Sequence, residues 1–243
     1  MYFKLIKKIN LINSNVRNIS NLCIVDFVLA KFSILLTPLF LFLRLTPNQI
    51  TIFNFFIGLT SIYLICFNHE FFQLGILCFF LSMIIDHIDG NVARYKKAGS
   101  FLGRFIDALF DAIIFGFFFA SITLYSFLVT ENLSLLILGI FSTSLFLVDT
   151  LVLDKFAALV RWSNEQNKQN KPPYIRKTKF FRFFASLRDT IYIGVISLIF
   201  FKENLEYFKI SITIIFLSMI ISAFTNIIMH IYFARKYLSF REK

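Results

Sequence analysis

Charged residues are scarce in this chain of 243 residues, and their scarcity excludes an ordinary soluble domain. They make up 16% of the sequence, whereas hydrophobic residues make up 58% and the mean hydropathy is +0.74. Soluble domains carry about 25% charged residues. Disordered chains are more polar still, and collagen needs far more glycine than the eight present here. The composition therefore predicts a polytopic membrane protein that forms one domain over residues 1–243.

Cysteine is also rare, which excludes a disulfide scaffold. The three cysteines, Cys23, Cys66 and Cys78, lie in apolar stretches at unrelated spacings. Zinc and redox motifs do not use such spacings. We expect all three cysteines to behave as small hydrophobic residues.

Six apolar runs predict transmembrane helices, so the expected fold is all-α. A helix rises about 1.5 Å per residue, and about 20 residues cross the hydrocarbon core. The runs are residues 50–67, 74–93, 103–129, 133–160, 190–201 and 210–233. The fifth run has only 12 residues and can span the bilayer only with its polar flanks.

Basic residues are distributed unevenly between the two ends of these runs. Of the 25 Lys and Arg residues, 22 lie on one side of the predicted membrane. The positive-inside rule makes that side cytoplasmic, so we expect an inner (cell) membrane protein with both termini in the cytoplasm. Because topology accounts for the positive charge, nucleic acid is not an expected partner.

Residues 1–48 precede the predicted six-helix core, residues 49–235, and are expected on the cytoplasmic side. The run 32–43 contains Pro38 and is too short to cross, so it predicts an N-terminal helix in the membrane interface. Residues 163–188 predict a cytoplasmic loop. The aromatic and basic end of this loop, residues 179–188, is expected to rest on anionic lipid.

Four aspartates lie where carboxylates are costly, inside or at the edge of the second and third runs: Asp86, Asp89, Asp107 and Asp111. An intramembrane carboxylate costs about 2.5–3.5 kcal/mol, and no lysine lies at a matching spacing. The pairs are spaced i, i+3 and i, i+4, so each pair projects from one side of its helix. The short connection makes the two helix ends neighbours. Hard oxygen ligands select Mg²⁺, Mn²⁺ or Ca²⁺, and the charge balance predicts two divalent cations.

The residues between the two pairs suit a nucleotide that approaches the backbone. Gly90 and Ala93 are small residues and leave space on one side of the second run. Gly103 lies one turn before Asp107. The Arg94 guanidinium offers parallel donors to a phosphate.

The window as a whole resembles the signature of the CDP-alcohol phosphotransferase family of integral membrane enzymes. Residues 86–111 fit D-x2-D-G-x2-A-R-x8-G-x3-D-x3-D at every fixed position. Residues 46–51 are similar to the family's TPN-x2-T element at the start of the first span. There Thr46 suits a helix cap and Pro47 the first turn, which leaves Asn48 and Thr51 to line the cytidine-phosphate pocket.

The resemblance implies a role for each matched residue. Asp86 and Asp107 would bridge two Mg²⁺ or Mn²⁺ ions, Asp89 would complete one ion's site and Asp111 the other's. Asp111 would also be the general base that deprotonates an acceptor hydroxyl. Relatives hold the nucleotide diphosphate at positions that match Gly90, Arg94 and Ser100.

Further polar residues are candidates for binding the acceptor alcohol: Asp149, Arg188 and His230. For Asp149, a hydrogen-bonded structural role is an equal alternative. His87 stands between two predicted ligands, but a step of about 100° along the helix turns it away from them, which favours a structural role.

The resemblance implies metal-dependent transfer of a phosphatidyl group from a CDP-linked donor to a small polar alcohol, with release of CMP. CDP-diacylglycerol is the favoured donor, in phospholipid biosynthesis. A CDP-choline or CDP-ethanolamine transferase that acts on a lipid acceptor is the alternative. A transporter or ion-binding membrane protein and an inactive scaffold are more remote alternatives. Relatives often form homodimers, so a homodimer is a further expectation.

Overall fold

The computed structural model describes residues 2–16, 24–166 and 179–239, and within these residues the chain is helical, as predicted. The elements, in chain order, are α1 (Tyr2–Val16), α2 (Ile24–Phe42), α3 (Pro47–Phe67), a short 3₁₀ turn (His69–Phe71), α4 (Phe72–Lys96), α5 (Phe101–Thr130), α6 (Leu133–Gln166), α7 (Lys179–Phe201) and α8 (Leu205–Ser239). The all-α prediction is confirmed for this part of the chain.

Among the described residues, six helices are long and apolar enough to cross a membrane, by length and composition. Five of them, α3 to α6 and α8, contain runs that were predicted to span. The sixth is α2, which was predicted to lie in the interface. The predicted fifth span, residues 190–201, forms the C-terminal part of α7. The chain is thus a multi-pass membrane protein, although the set of six long apolar helices differs from the prediction in one member.

Helix α2 begins eight residues before the run that predicted it, at Ile24. The backbone N–H groups of its first two residues donate to Asp189, which lies near the middle of α7, directly before the predicted span. Just beyond its C-terminus, the carbonyl of Leu45 accepts a hydrogen bond of 2.8 Å from Lys96, the last residue of α4. Contacts of both ends with the same side of the bundle favour the interfacial placement of α2, which stays a prediction.

Local caps fix the ends of the helices that carry the two motifs. Thr46 caps α3 and Pro47 stands in its first turn, as the sequence predicts, and Gln49 completes a capping box that was not predicted. The hydroxyl of Ser100 caps α5 by accepting a hydrogen bond of 2.9 Å from the backbone N–H of Gly103. Because residues 97–100 alone connect α4 to α5, the motif ends of these helices lie at the same side of the bundle.

Helix α3 packs extensively against both α4 and α5, whereas α4 and α5 approach each other mainly through side chains. The rings of Phe79 and Phe118 stack with centroids 3.6 Å apart. On α3, Gly58 permits close approach to α5, since a Cβ there would lie 2.6 Å from the side chain of Ile114. This spacing leaves room for a cavity between α4 and α5 near the motif aspartates.

The predicted cytoplasmic loop, residues 163–188, is helical where the structure describes it. Helix α6 extends to Gln166 and α7 begins at Lys179. Residues 167–178 lie outside the described residues, as does Cys23. The cytoplasmic placement of this segment and the lipid contact of residues 179–188 stay predictions.

Candidate active site

Three of the four motif aspartates converge where α4 and α5 meet. One carboxylate oxygen from each of Asp86, Asp89 and Asp107 lies within 4.8 Å of the others. Asp89 is buried, with 6% of its surface exposed, and the other two are half-buried. A set of three carboxylates at this separation fits a Mg²⁺ or Mn²⁺ ion, which prefers hard oxygen donors. The role of these residues as metal ligands stays a prediction.

A hydroxyl from α3 orients the buried carboxylate of this group. Thr51 Oγ1 donates to Asp89 Oδ2 over 2.8 Å, and Thr51 is itself buried. Partners of this kind fix the orientation of metal ligands. The structure thus brings Thr51, predicted to line the nucleotide pocket, into contact with a predicted metal ligand.

Asp111 lies one helical turn beyond Asp107 and borders a cavity of about 190 Å³ together with Asp86. It does not belong to the group of three within 4.8 Å, but the charges of the other three aspartates act on it. A carboxylate in this position borders a cavity next to the candidate metal centre. This geometry suits the predicted general base, because a base must reach a small molecule held beside the metals.

The sequence analysis missed Asn54, which lines the same cavity from α3. Its side-chain oxygen, Oδ1, has no hydrogen-bond partner within the part of the chain that the structure describes, although the residue is only 2% exposed. Thr51, Asn54, Gly58 and Ser61 recur at helical spacing along the buried face of α3. Polar and small residues at helical spacing in an otherwise apolar helix indicate a functional face, so this pattern could have identified Asn54 from the sequence.

Arg94 is held by a buried polar network that joins α4 to α1. Its Nε donates to Asn13 Oδ1 and its Nη2 donates to Asn91 Oδ1, both over 2.8 Å. Asn13 Nδ2 in turn donates to Asn91 Oδ1 over 2.9 Å. Gly90 makes room for the guanidinium, because a Cβ there would lie 3.2 Å from Nη1. Helix α1 therefore contributes Asn13 as a positioning residue for the predicted phosphate-binding arginine.

Replacing Asn13 with leucine is expected to weaken binding of the CDP-linked donor about tenfold, because Arg94 loses its Nε acceptor and its preferred orientation. The measurement is steady-state kinetics with varied donor concentration. We expect the KM for the donor to rise and kcat at saturating donor to change little. Asn10→Leu is the matched control, since Asn10 is exposed one turn earlier on α1. Equal donor KM values in both variants would contradict the positioning role.

The other predicted nucleotide residues lie near the motif ends of α3, α4 and α5. A Cβ on Gly103 would lie 2.9 Å from Ser100 Oγ and 3.1 Å from Asn48 Oδ1, so these three residues from α3 and α5 are neighbours. Ala93 is half-buried near the end of α4, where its carbonyl accepts from the backbone N–H of Ala98 over 3.0 Å. Their contact with a nucleotide stays a prediction.

The acceptor candidates divide into two places. Arg188 lines the cavity with Asp86 and Asp111, whereas Asp149 and His230 are not among its lining residues. Asp149 Oδ2 accepts from Asn226 Nδ2 over 3.2 Å. His230 Nδ1 lies 2.7 Å from the Asn226 carbonyl, which can only accept, so Nδ1 carries the proton. Asp149 thus makes a polar contact between α6 and Asn226 of α8, whereas the contact of His230 lies within α8.

His87 lies closer to the site than helical spacing from Asp86 predicts. Its ring lines the cavity, and Nδ1 is 3.8 Å from Asp86 Oδ2. The reason is that the cavity face of α4 also includes Met83, one turn before His87. The prediction considered only the direction of the His87 side chain relative to the predicted metal ligands. The cavity covers a broader face of α4, and that face includes His87.

Comparison with known proteins gives a match over more than half of the chain. The family model described as CDP-alcohol phosphatidyltransferase matches residues 44–185. The matched range contains α3, α4, α5 and α6, and so includes both sequence motifs and all four aspartates.

Curated relatives match over shorter stretches. The CDP-diacylglycerol--serine O-phosphatidyltransferase of Bacillus subtilis (strain 168) is 36% identical over 70 residues, which are 29% of this chain and 38% of that protein. The enzyme of the same name from Helicobacter pylori (strain ATCC 700392 / 26695) is 36% identical over 83 residues, 33% of this chain and 32% of that protein. The bifunctional IPC transferase and DIPP synthase of Thermococcus kodakarensis is 34% identical over 77 residues, 32% of this chain and 17% of that protein. The matches thus span well under half the length of each relative.

Proposed function

This chain belongs to the CDP-alcohol phosphatidyltransferase family, and we propose that it transfers a phosphatidyl group from CDP-diacylglycerol to a small polar alcohol. The observation that carries the proposal is the convergence of Asp86, Asp89 and Asp107, with Asp111 and Asp86 bordering the same cavity. The products would be a phospholipid and CMP. The relatives named as serine transferases support a phospholipid product and make serine one of the acceptors to test.

The carboxylates of Asp86, Asp89, Asp107 and Asp111 would hold two divalent cations, Mg²⁺ or Mn²⁺. Bound there, such ions neutralise the diphosphate of the donor and the charge that develops on the departing CMP. Thr51 keeps Asp89 oriented toward this centre, and Arg94 adds a fixed positive charge for the diphosphate.

Asp111 would take the proton from the acceptor hydroxyl. The hydroxyl oxygen then forms a bond to the β-phosphorus of the donor, while the bond from that phosphorus to the oxygen shared with CMP breaks. The cavity holds the acceptor beside Asp111 and limits competition from water, because its walls include the apolar side chains of Phe79, Ile114 and Phe115.

The experiment is CMP release by the purified full chain in phospholipid nanodiscs that contain CDP-diacylglycerol. Serine, glycerol 3-phosphate, inositol, inositol phosphate and choline are supplied singly as acceptors, with Mg²⁺ or Mn²⁺. We expect CMP release that requires both the donor and one class of acceptor. The Asp86→Asn variant is the inactive reference, since it removes a carboxylate from the candidate metal centre.

A different outcome would favour another function. Divalent-cation flux into sealed vesicles, without cleavage of CDP-diacylglycerol under any acceptor, would overturn the proposal in favour of a transporter. Product analysis by mass spectrometry identifies the phospholipid formed and so the acceptor.

A further inference from the structure

A pair of opposite charges lines the same cavity as Asp86 and Asp111. Arg188 Nη2 of α7 lies 3.7 Å from Asp26 Oδ2 of α2, and both residues border the cavity. The Asp26 side chain is 12% exposed and that of Arg188 is 43% exposed. A separation of 3.7 Å is an electrostatic contact that is longer than a hydrogen bond.

A separate contact already fixes α2 on α7 next to this pair. Both carboxylate oxygens of Asp189 accept hydrogen bonds of 2.9 Å, one from the backbone N–H of Ile24 and one from that of Val25. Asp189 is buried, and its carboxylate satisfies N–H groups that the first turn of a helix otherwise leaves free. Asp189 thus joins the two helices directly beside the Asp26–Arg188 pair.

We propose that Asp26 and Arg188 form the acceptor subsite, and that the acceptor is a zwitterion with an ammonium, a carboxylate and a hydroxyl group, as in a hydroxy amino acid. This inference rests on the proposed function, because it concerns the alcohol that enters the reaction there. The planar guanidinium of Arg188 binds the carboxylate, and Asp26 binds the ammonium group. The hydroxyl is then held in the cavity that Asp111 borders.

The charges around the cavity select this class of acceptor over others. A zwitterion brings an opposite charge to each member of the pair, so the largely buried Asp26 carboxylate is not left unpaired when the pair separates. A phosphorylated alcohol would bring two negative charges into a cavity that Asp26, Asp86 and Asp111 also border. The unpaired Asn54 Oδ1 supplies a further acceptor for the ammonium or hydroxyl hydrogens.

The test compares acceptors that lack one charge each. Serine carries both charges, ethanolamine lacks the carboxylate and 3-hydroxypropanoate lacks the ammonium group. In the wild-type chain we expect kcat/KM for serine to exceed that for either analogue by about tenfold or more. Asp26→Asn should remove the preference for serine over 3-hydroxypropanoate but keep the preference for serine over ethanolamine. Arg188→Gln should remove the preference for serine over ethanolamine but keep the preference for serine over 3-hydroxypropanoate.

Two exposed positions supply matched controls. Asp154→Asn makes the same change as Asp26→Asn on the surface of α6, and Lys31→Gln removes one cation from the surface of α2. Both controls should keep the wild-type order of acceptors. The KM for CDP-diacylglycerol should be unchanged in the Asp26 and Arg188 variants.

The outcomes separate this inference from the function on which it rests. An equal loss with all acceptors in both variants would identify the pair as structural and overturn the inference. CMP release with glycerol, inositol or glycerol 3-phosphate, and no preference for serine over its analogues, would also overturn it while leaving the transfer function intact. No CMP release with any acceptor would overturn the proposed function itself. The wild-type comparison needs no variant, so misfolding of a variant does not remove the test.

Discussion

Replacing Asp111 with asparagine is expected to lower CMP release by at least about 10²-fold while the fold and part of the nucleotide affinity are retained. The amide has nearly the shape of the carboxylate but cannot accept the proton of the acceptor hydroxyl. The negative charges of Asp86, Asp89 and Asp107 act on the Asp111 carboxylate. Replacing it with a neutral amide lowers the repulsion among these four side chains, so the fold is expected to persist. The measurement is steady-state CMP release together with CDP binding followed by thermal shift.

The matched control is Asp154→Asn, the same chemical change on the exposed surface of α6. It should behave as the wild type in both measurements. If Asp111→Asn kept more than about a tenth of the activity, Asp111 would not be the general base, since general-base catalysis accounts for a larger factor. Loss of CDP binding along with activity would instead assign Asp111 to the metal centre alone.

The parts of the site that follow from short-range spacing were predictable from the sequence. The i, i+3 and i, i+4 spacings place each pair of aspartates on one side of its helix, and the short connection brings the two helix ends together. Thr46, Gln49 and Pro47 specify the start of α3 by local hydrogen bonding and a fixed backbone angle, and the structure has that start. In both cases the interacting residues lie either on one helix or on two helices joined by a short connection.

The parts that depend on contacts between distant segments were not predictable. Asn13 precedes its partner Asn91 by 78 positions, and nothing in the local pattern of α1 indicates a link to Arg94. The approach of Asp26 to Arg188 likewise depends on how α2 packs against α7. Such pairings are set by the packing of whole helices, whereas periodicity describes each helix separately.

Helix α2 illustrates the same limit on helix boundaries. The sequence analysis began the apolar run after Lys31, because Asp26 and Lys31 interrupt it. In the structure the helix continues back to Ile24, where the Asp189 carboxylate of α7 accepts hydrogen bonds from the first two backbone N–H groups. A distant residue thus makes helix formation favourable where the local sequence disfavours it.

Removing divalent cations is expected to abolish CMP release and to lower the melting temperature of the protein. Without a cation, one carboxylate oxygen from each of Asp86, Asp89 and Asp107 lies within 4.8 Å of the others, and their negative charges repel. A ligand that binds only the folded state stabilises it in proportion to the logarithm of its concentration. Treatment with a chelator, followed by readdition of Mg²⁺ or Mn²⁺, should therefore reverse both effects, measured as CMP release and as a thermal unfolding curve.

Two variants make the metal prediction specific to this site. Asp89→Asn should remove most of the effect of the cation on the melting temperature, whereas Asp154→Asn should leave it unchanged. Thr51→Val keeps the carboxylate but removes the hydroxyl that donates to Asp89, so the Mg²⁺ concentration for half-maximal activity should rise by about 10- to 100-fold. If Mg²⁺ raised the melting temperature equally in the wild type and in Asp89→Asn, the stabilising cation would bind elsewhere. The convergence of these carboxylates would then need another explanation.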